Sequence, residues 1–222
     1  LDCPDDIRDD MTISIVDNKL TITSAGDDQQ ERCNVILHAG NDFDLEVEHE
    51  LESEIHHTNG QTLNLNLAAG DELRIFTFGD GDLVLGDVYA DTLQLEAYNN
   101  ATVSHTGEMV GEEIRAHMYD GSTLDLQNII AQHVRVDSHD VTTSNVGGQA
   151  GEVKVDARHS ASVDASNLIT FEGEVDAFDS VEVWIHAQDK AEVNAEDDAV
   201  VHVDGNPGET DVTQEDNAEI YF

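Results

Sequence analysis

Acidic side chains recur at fixed spacing in this 222-residue chain, and they are where chemistry is sought first. Asp179, Asp197 and Asp216 follow one another at nearly equal intervals, with Glu196, Asp198 and Glu215 beside them. If successive turns of chain stack, these carboxylates come within about 4.8 Å of each other, where each solvated like-charge pair costs on the order of 1 kcal/mol. A hard cation such as Ca²⁺, which takes about six to eight oxygens, would relieve that repulsion. The six acids are therefore the candidate metal ligands, and a solvated acidic corner is the competing reading. Gly79-Asp80-Gly81-Asp82-Leu83 occurs once and fails the spacing of calcium-binding repeats.

Other residue types offer weaker chemistry. Of the 11 His, His139 and His159 lie one period apart and are expected to stack in adjacent turns, as transition-metal ligands or as plain imidazoles. Tyr98 and Tyr119, with Phe178 further along, precede the same turn and would line one side. Sugar rings could stack there; ordinary corner packing is the alternative. Asp80 and Asp82 could be offered as an acid–base pair of a polysaccharide hydrolase. With 49 acidic residues, however, close pairs arise by chance, and the chain carries no Ser/His/Asp order, phosphate loop or nucleophile elbow. It reads as non-enzymatic.

Charge narrows the partners. Against 49 Asp and Glu stand 9 Lys and Arg, a net charge of −40. Such a polyanion does not neutralise phosphates, so nucleic acid and anionic membranes are excluded, and no apolar run is long enough to span a bilayer. At 39% hydrophobic residues, 16 Gly and 2 Pro, the composition still allows a substantial core.

The elements that place these residues are legible as a repeat. A short turn begins at positions 41, 59, 80, 99, 120, 139, 159, 179, 197 and 216, a mean period of about 19.4 residues. Four residues after it stand Leu45, Leu63, Val84, Val103, Leu124, Thr143, Val163, Val183, Val201 and Ile220. The residues four before it are apolar too, except Arg135, where the apolar residues slip to Val134 and Val136. Small residues (Ala39, Ala97, Ala157, Ala177, Ala195) dominate two before. Around each turn apolar and polar residues alternate with period two, and β-branched types dominate. The pattern predicts an all-β, single-domain parallel β-solenoid of about ten coils, a column of roughly 48 Å. A sandwich of hairpins is disfavoured because the same residue types recur in the same register, as stacking requires.

Residues 1–34 lie outside the repeat, which occupies 35–222. Met11–Val16 and Leu20–Thr23 alternate around Asp17-Asn18-Lys19, a hairpin signature, and would cap the first coil. Cys3 and Cys33 read as a disulfide stapling this cap, with a lipidated Cys3 or free thiols as alternatives. The start at Leu1 rather than Met reads as a removed leader and so as export.

The segment VWIHAQDKAEVNAEDDAVVHVDGNPGETDVTQEDNAEIYF (183–222) carries a resemblance. Its alternating strand, turn, strand leading to Gly205-Asn206-Pro207, and final Asp216-Asn217-Ala218-Glu219-Ile220 resemble the "putative auto-transporter adhesin, head GIN domain" family. The resemblance extends over about 35–222 and implies a secreted or surface β-solenoid. The turns depart from it, using Asp, Asn and His where the family favours Gly-Ser-Gly.

The sequence thus points to an extracellular, cell-surface adhesion or structural module, with a polysaccharide-binding or polysaccharide-degrading β-helix as the alternative. Expected partners are cell-surface glycans and further copies of the chain. Strand edges would meet end to end through Ala218, Glu219, Ile220, Tyr221 and Phe222 at one end and Ile13, Ile15, Leu20 and Ile22 at the other.

Overall fold

Short apolar–polar alternations separated by Gly, Asn and Asp can bury one side of a strand only by stacking on copies of themselves, and this is what the chain does. The structure is a computed structural model that describes residues 11–16, 19–24, 43–49, 53–57, 62–69 and 72–222. Its strands are β1 (Met11–Val16), β2 (Lys19–Ser24), β3 (Phe43–His49), β4 (Ser53–His57), β5 (Thr62–Ala69), β6 (Glu72–Phe78), β7 (Asp82–Tyr89), β8 (Thr92–Tyr98) and β9 (Thr102–His105). They continue as β10 (Met109–Met118), β11 (Thr123–Ser138), β12 (Thr143–Ala157), β13 (Ser162–Ala177), β14 (Glu182–Ala195), β15 (Val200–Asp204), β16 (Glu209–Gln214) and β17 (Glu219–Tyr221).

β1 and β2 pair antiparallel, and β2 runs parallel to β3, so the hairpin adjoins the first level of the stack as a cap would. Apart from that hairpin, every pairing among the described residues is parallel, between segments about twenty residues apart. Among the described residues the fold is a parallel β-solenoid without helices, as expected, with about eight turns rather than ten. Eight turns run from Thr62 to Gln214; β3 and β4 stack on the first of them and β17 on the last. Cys3 and Cys33 lie outside the described residues, as do turn positions Asn41 and Asn59.

Each turn has three runs, seen most plainly in β11 and β12. Thr123–Leu126 pairs with 143–146, Ile129–Ala131 with 148–150, and His133–Ser138 with 152–157. These runs make a first, second and third face. Between the first two, at the register shift, Gly148 adopts φ 137°, and a Cβ there would overlap the Ile129 backbone of the preceding turn.

The interior is a set of axial columns. On the first face Leu83, Val103, Leu124, Ser144, Val163, Val183 and Val201 succeed one another in register. On the third face Ile75, Leu95, Ala116, Val136, Val155, Val175 and Val193 do the same, all buried. Where the chain leaves the third face the column runs Thr77, Ala97, Met118, Ser138, Ala157, Ala177 and Ala195, small residues as the repeat anticipated except at Met118.

The turn register is corrected at three places. Left-handed backbone marks the true corner at Gly79, Asn99, Asp120, Asp140, His159, Asp179, Asp197 and Asp216. The corner is therefore Gly79, not Asp80, and Asp140, not His139. Glycine takes positive φ without steric cost, and Asn, Asp and His tolerate it better than other side chains do. The slip explains the anomalies: Val84, Thr143 and Arg135 face outward, while Leu83, Leu85, Ser144 and Val136 are buried. In the first level Leu63 pairs with Phe43 rather than standing level with Leu45, a two-residue offset.

Candidate interaction faces

The corner acids are placed first by the backbone. At two corners the left-handed residue is an Asp whose carboxylate reaches along the axis to the preceding turn, and at two others the Asp beside the corner reaches to the following one. Asp120 Oδ2 accepts the Asn99 N–H at 3.2 Å, and Asp179 Oδ2 accepts the His159 N–H at 3.2 Å. Asp80 Oδ1 accepts from Asn100 Nδ2 at 3.0 Å, and Asp198 Oδ1 from Asn217 Nδ2 at 3.1 Å. Acids here tie one turn to the next. Asp179, Asp197 and Asp216 share the corner as expected, with Asp198, Glu196 and Glu215 close by in the chain. Among the described residues, no three His, Cys, Asp or Glu side chains converge as a group that could hold a metal ion.

His139 and His159 do not stack on each other. The His139 ring lies parallel to Tyr119, with centroids 5.3 Å apart. His159 is one register away at the left-handed corner, its Nδ1 3.4 Å from Asp140 Oδ1.

His139 belongs instead to a column of flat groups at the edge of the third face. Phe78, Tyr98 and Tyr119 stack at 5.0 and 4.9 Å with nearly parallel planes, His139 follows, and the Arg158 guanidinium lies 5.0 Å over the Phe178 ring. The aromatic alignment was legible in the sequence; Phe78, His139 and Arg158 were missed, although 78, 98, 119, 139, 158 and 178 keep the period. Because the rings stack on one another, they present edges to solvent, which removes the flat platform a sugar would use. Burial and the Glu96 carboxylate push the Tyr98 phenol above its usual pKa, and its hydroxyl donates to Glu96 Oε2 at 2.6 Å. A second column, Trp184–His202–Tyr221, stacks on the first face at 5.2 and 4.9 Å.

Every Lys and Arg from residue 72 onward lies on the third face or its edge. Arg74, Gln94, Arg115, Arg135 and Lys154 form one axial column that continues as Glu174, Glu192 and Asp211. Cations stacked about 4.8 Å apart would repel, and each is offset by an acid. Arg74 donates to Glu72 (2.8 Å), Arg115 to Glu113 (2.7 and 2.6 Å), Arg135 to Asp137 (2.9 and 3.0 Å), Arg158 to Asp156 (2.7 and 2.9 Å), and Lys154 to Glu174 on the next turn. The other two faces carry acids with no Lys or Arg among the residues from 72 on.

Asp137 is the most enclosed member of this network. Its carboxylate is 8% exposed and also accepts from His117 Nδ1 at 2.9 Å. Burial alone pushes the carboxyl pKa up, but the hydrogen bonds from His117 and Arg135 outweigh it and hold the pKa below the usual carboxylate value. A carboxyl whose folded pKa is depressed stabilises the fold above its unfolded pKa, about 3.9, and loses that contribution as pH falls through the folded value. Asp137→Asn should therefore cost about 1–3 kcal/mol at neutral pH and flatten the loss of stability below about pH 4. Urea midpoints of both proteins across pH 2–7 measure this; parallel curves would show that Asp137 is not the titrating group.

The residues Ala218, Glu219, Ile220, Tyr221 and Phe222 lie at the C-terminal end of the described stack. β17 pairs with β15 through Glu219↔Val200, Ile220↔Val201 and Tyr221↔His202. Ala218 is buried, Ile220 half-buried, and Tyr221 and Phe222 are 48% and 63% exposed. Ile13, Ile15, Leu20 and Ile22 lie in the hairpin, with Ile13 opposite Ile22 and Ile15 opposite Leu20.

Residues 104–207 match the model of the family described as "putative auto-transporter adhesin, head GIN domain". No curated protein and no solved structure matches the chain.

Proposed function

From the match of residues 104–207 to an adhesin head family, we propose that the protein is a non-enzymatic module of the cell exterior, serving adhesion or surface structure. That match carries the reading. It is supported by an architecture in which side chains repeat along a rod and the acids at its corners are engaged in tying turns together. Such a rod offers long, uniform sides to cell-surface glycans or to a matrix, and a charge of −40 keeps neighbouring rods apart laterally.

End-to-end assembly is part of the proposal. The edge of β17 facing away from β15 has no strand partner among the described residues, and neither has the edge of β1 facing away from β2. Strand addition between them would be heterologous and would continue into a filament. Ca²⁺ enters here as a counter-ion of the acidic corners.

An antibody to a tagged chain should label intact producing cells, and deletion of the gene should lower their adhesion several-fold. A tag reached only after lysis would overturn the surface reading. In light scattering, the purified protein should show a mass that rises with concentration, more so with Ca²⁺, and deletion of residues 218–222 should abolish the rise. A monomer at high concentration with and without Ca²⁺ would remove assembly from the proposal.

A further inference from the structure

A polyanion that buries its aliphatic residues inside the coil has an apolar stripe on its second face. The outward positions of successive turns are Tyr89, Val110, Ile130, Gln149 and Ile169, in register. Tyr89, Ile130 and Ile169 are 43%, 50% and 43% exposed, Val110 is half-buried, and Phe171 at the next corner is 58% exposed. Beside the stripe runs a groove of about 450 Å³ lined by Gly107, Glu108, Asn128, Ile130, Gly148 and Gln149. Acids stand on both borders of its upper turns, Asp87 and Glu108 on one and Asp91 and Glu112 on the other, and from residue 72 on this face holds no Lys or Arg among the described residues.

The geometry points to a docking surface for a cationic amphipathic helix of a partner protein. Charge decides against a like face: two copies meeting stripe to stripe would oppose Asp87, Asp91, Glu108 and Glu112 with no cation between them. It favours an occupant with an apolar ridge flanked by Lys or Arg. Geometry favours a helix over a strand, because the backbone groups of this face are hydrogen-bonded along the axis, as in Val88 N–H to the Glu108 carbonyl (2.8 Å) and Ala90 N–H to the Val110 carbonyl (3.1 Å). The partner is therefore held by side chains. The apolar ridge of a helix repeats on average about every 5.3 Å, against about 4.8 Å between turns. Over the roughly 19 Å from Tyr89 to Ile169 the two drift apart by about 2 Å, less than half a repeat, which side chains can take up. This inference does not depend on where the molecule resides.

The test uses the full chain and a fluorescent 15-residue Leu/Lys peptide with its leucines at helical spacing. Anisotropy should report saturable one-to-one binding. The combined Tyr89→Ser, Ile130→Ser and Ile169→Ser variant, unchanged in net charge and with unchanged circular dichroism, should bind at least tenfold more weakly. A scrambled peptide of equal composition should bind as weakly to the unaltered protein. Equal binding by protein and variant, or by ordered and scrambled peptide, would mean only polyanion attraction and would overturn the proposal. Self-association of the unaltered protein that the triple variant loses would assign the stripe to a second copy and also overturn it. Neither result bears on the cell-surface labelling.

Discussion

Leu83→Asp is expected to unfold the protein under conditions where Val84→Asp leaves it folded. Leu83 is 1% exposed and sits in the first-face column against Val103 and Leu63. A carboxylate there has no partner and loses its water, while the column loses a leucine; the two effects together exceed about 4 kcal/mol, most of the stability of a typical domain. Val84 is the next residue and faces outward beside Ser104 and Asn64, where an acid costs about 1 kcal/mol or less. Thermal unfolding of both variants by circular dichroism measures the difference. The opposite order would put Val84 inside, as counting from Asp80 suggests, and would overturn the corner at Gly79.

The interior was legible because burial imposes a strict code: one side of a strand must be apolar, and the period must equal the length of a turn. Leu124, Val163, Val183 and Val201 follow that code, and the structure buries all four. Corners are less constrained. In Gly79-Asp80-Gly81 and His139-Asp140, several residues accept a turn, and only the positive φ identifies which one makes it. Arg135 was the sequence's own warning, an ion at an apolar position, and it resolves once the corner moves to Asp140.

The outer faces were read least well, for a physical reason. Solvent tolerates almost any polar residue, so outward columns are visible only when a minority residue type repeats. Aromatics met that condition at Tyr98 and Tyr119. So did the scarce cations, since Arg74, Arg115, Arg135 and Lys154 keep the period, and so did the apolar residues Tyr89, Val110, Ile130 and Ile169. The abundant acids did not: with 49 of them, periodic spacing at Asp179, Asp197 and Asp216 carries little information about ligands, and these carboxylates form no metal-holding group among the described residues. The cap residues Cys3 and Cys33 lie outside the described residues.

Every face and column described above rests on successive turns stacking in parallel register, and a disulfide tests that stacking most directly. Thr143 and Ser162 are register partners on the outside of adjacent turns, and Glu182 follows Ser162 one turn further. Partners in neighbouring strands stand about 4.8 Å apart, inside the 4.4–6.8 Å range a disulfide spans between Cα atoms, whereas two turns give about 9.6 Å. In a background carrying Cys3→Ser and Cys33→Ser, mild oxidation of Thr143→Cys with Ser162→Cys should close an intramolecular bond nearly completely, and Thr143→Cys with Glu182→Cys should stay reduced. Mass spectrometry of the tryptic peptides reads both. A closed 143–182 bond, or free thiols at 143 and 162 in folded protein, would contradict the stack.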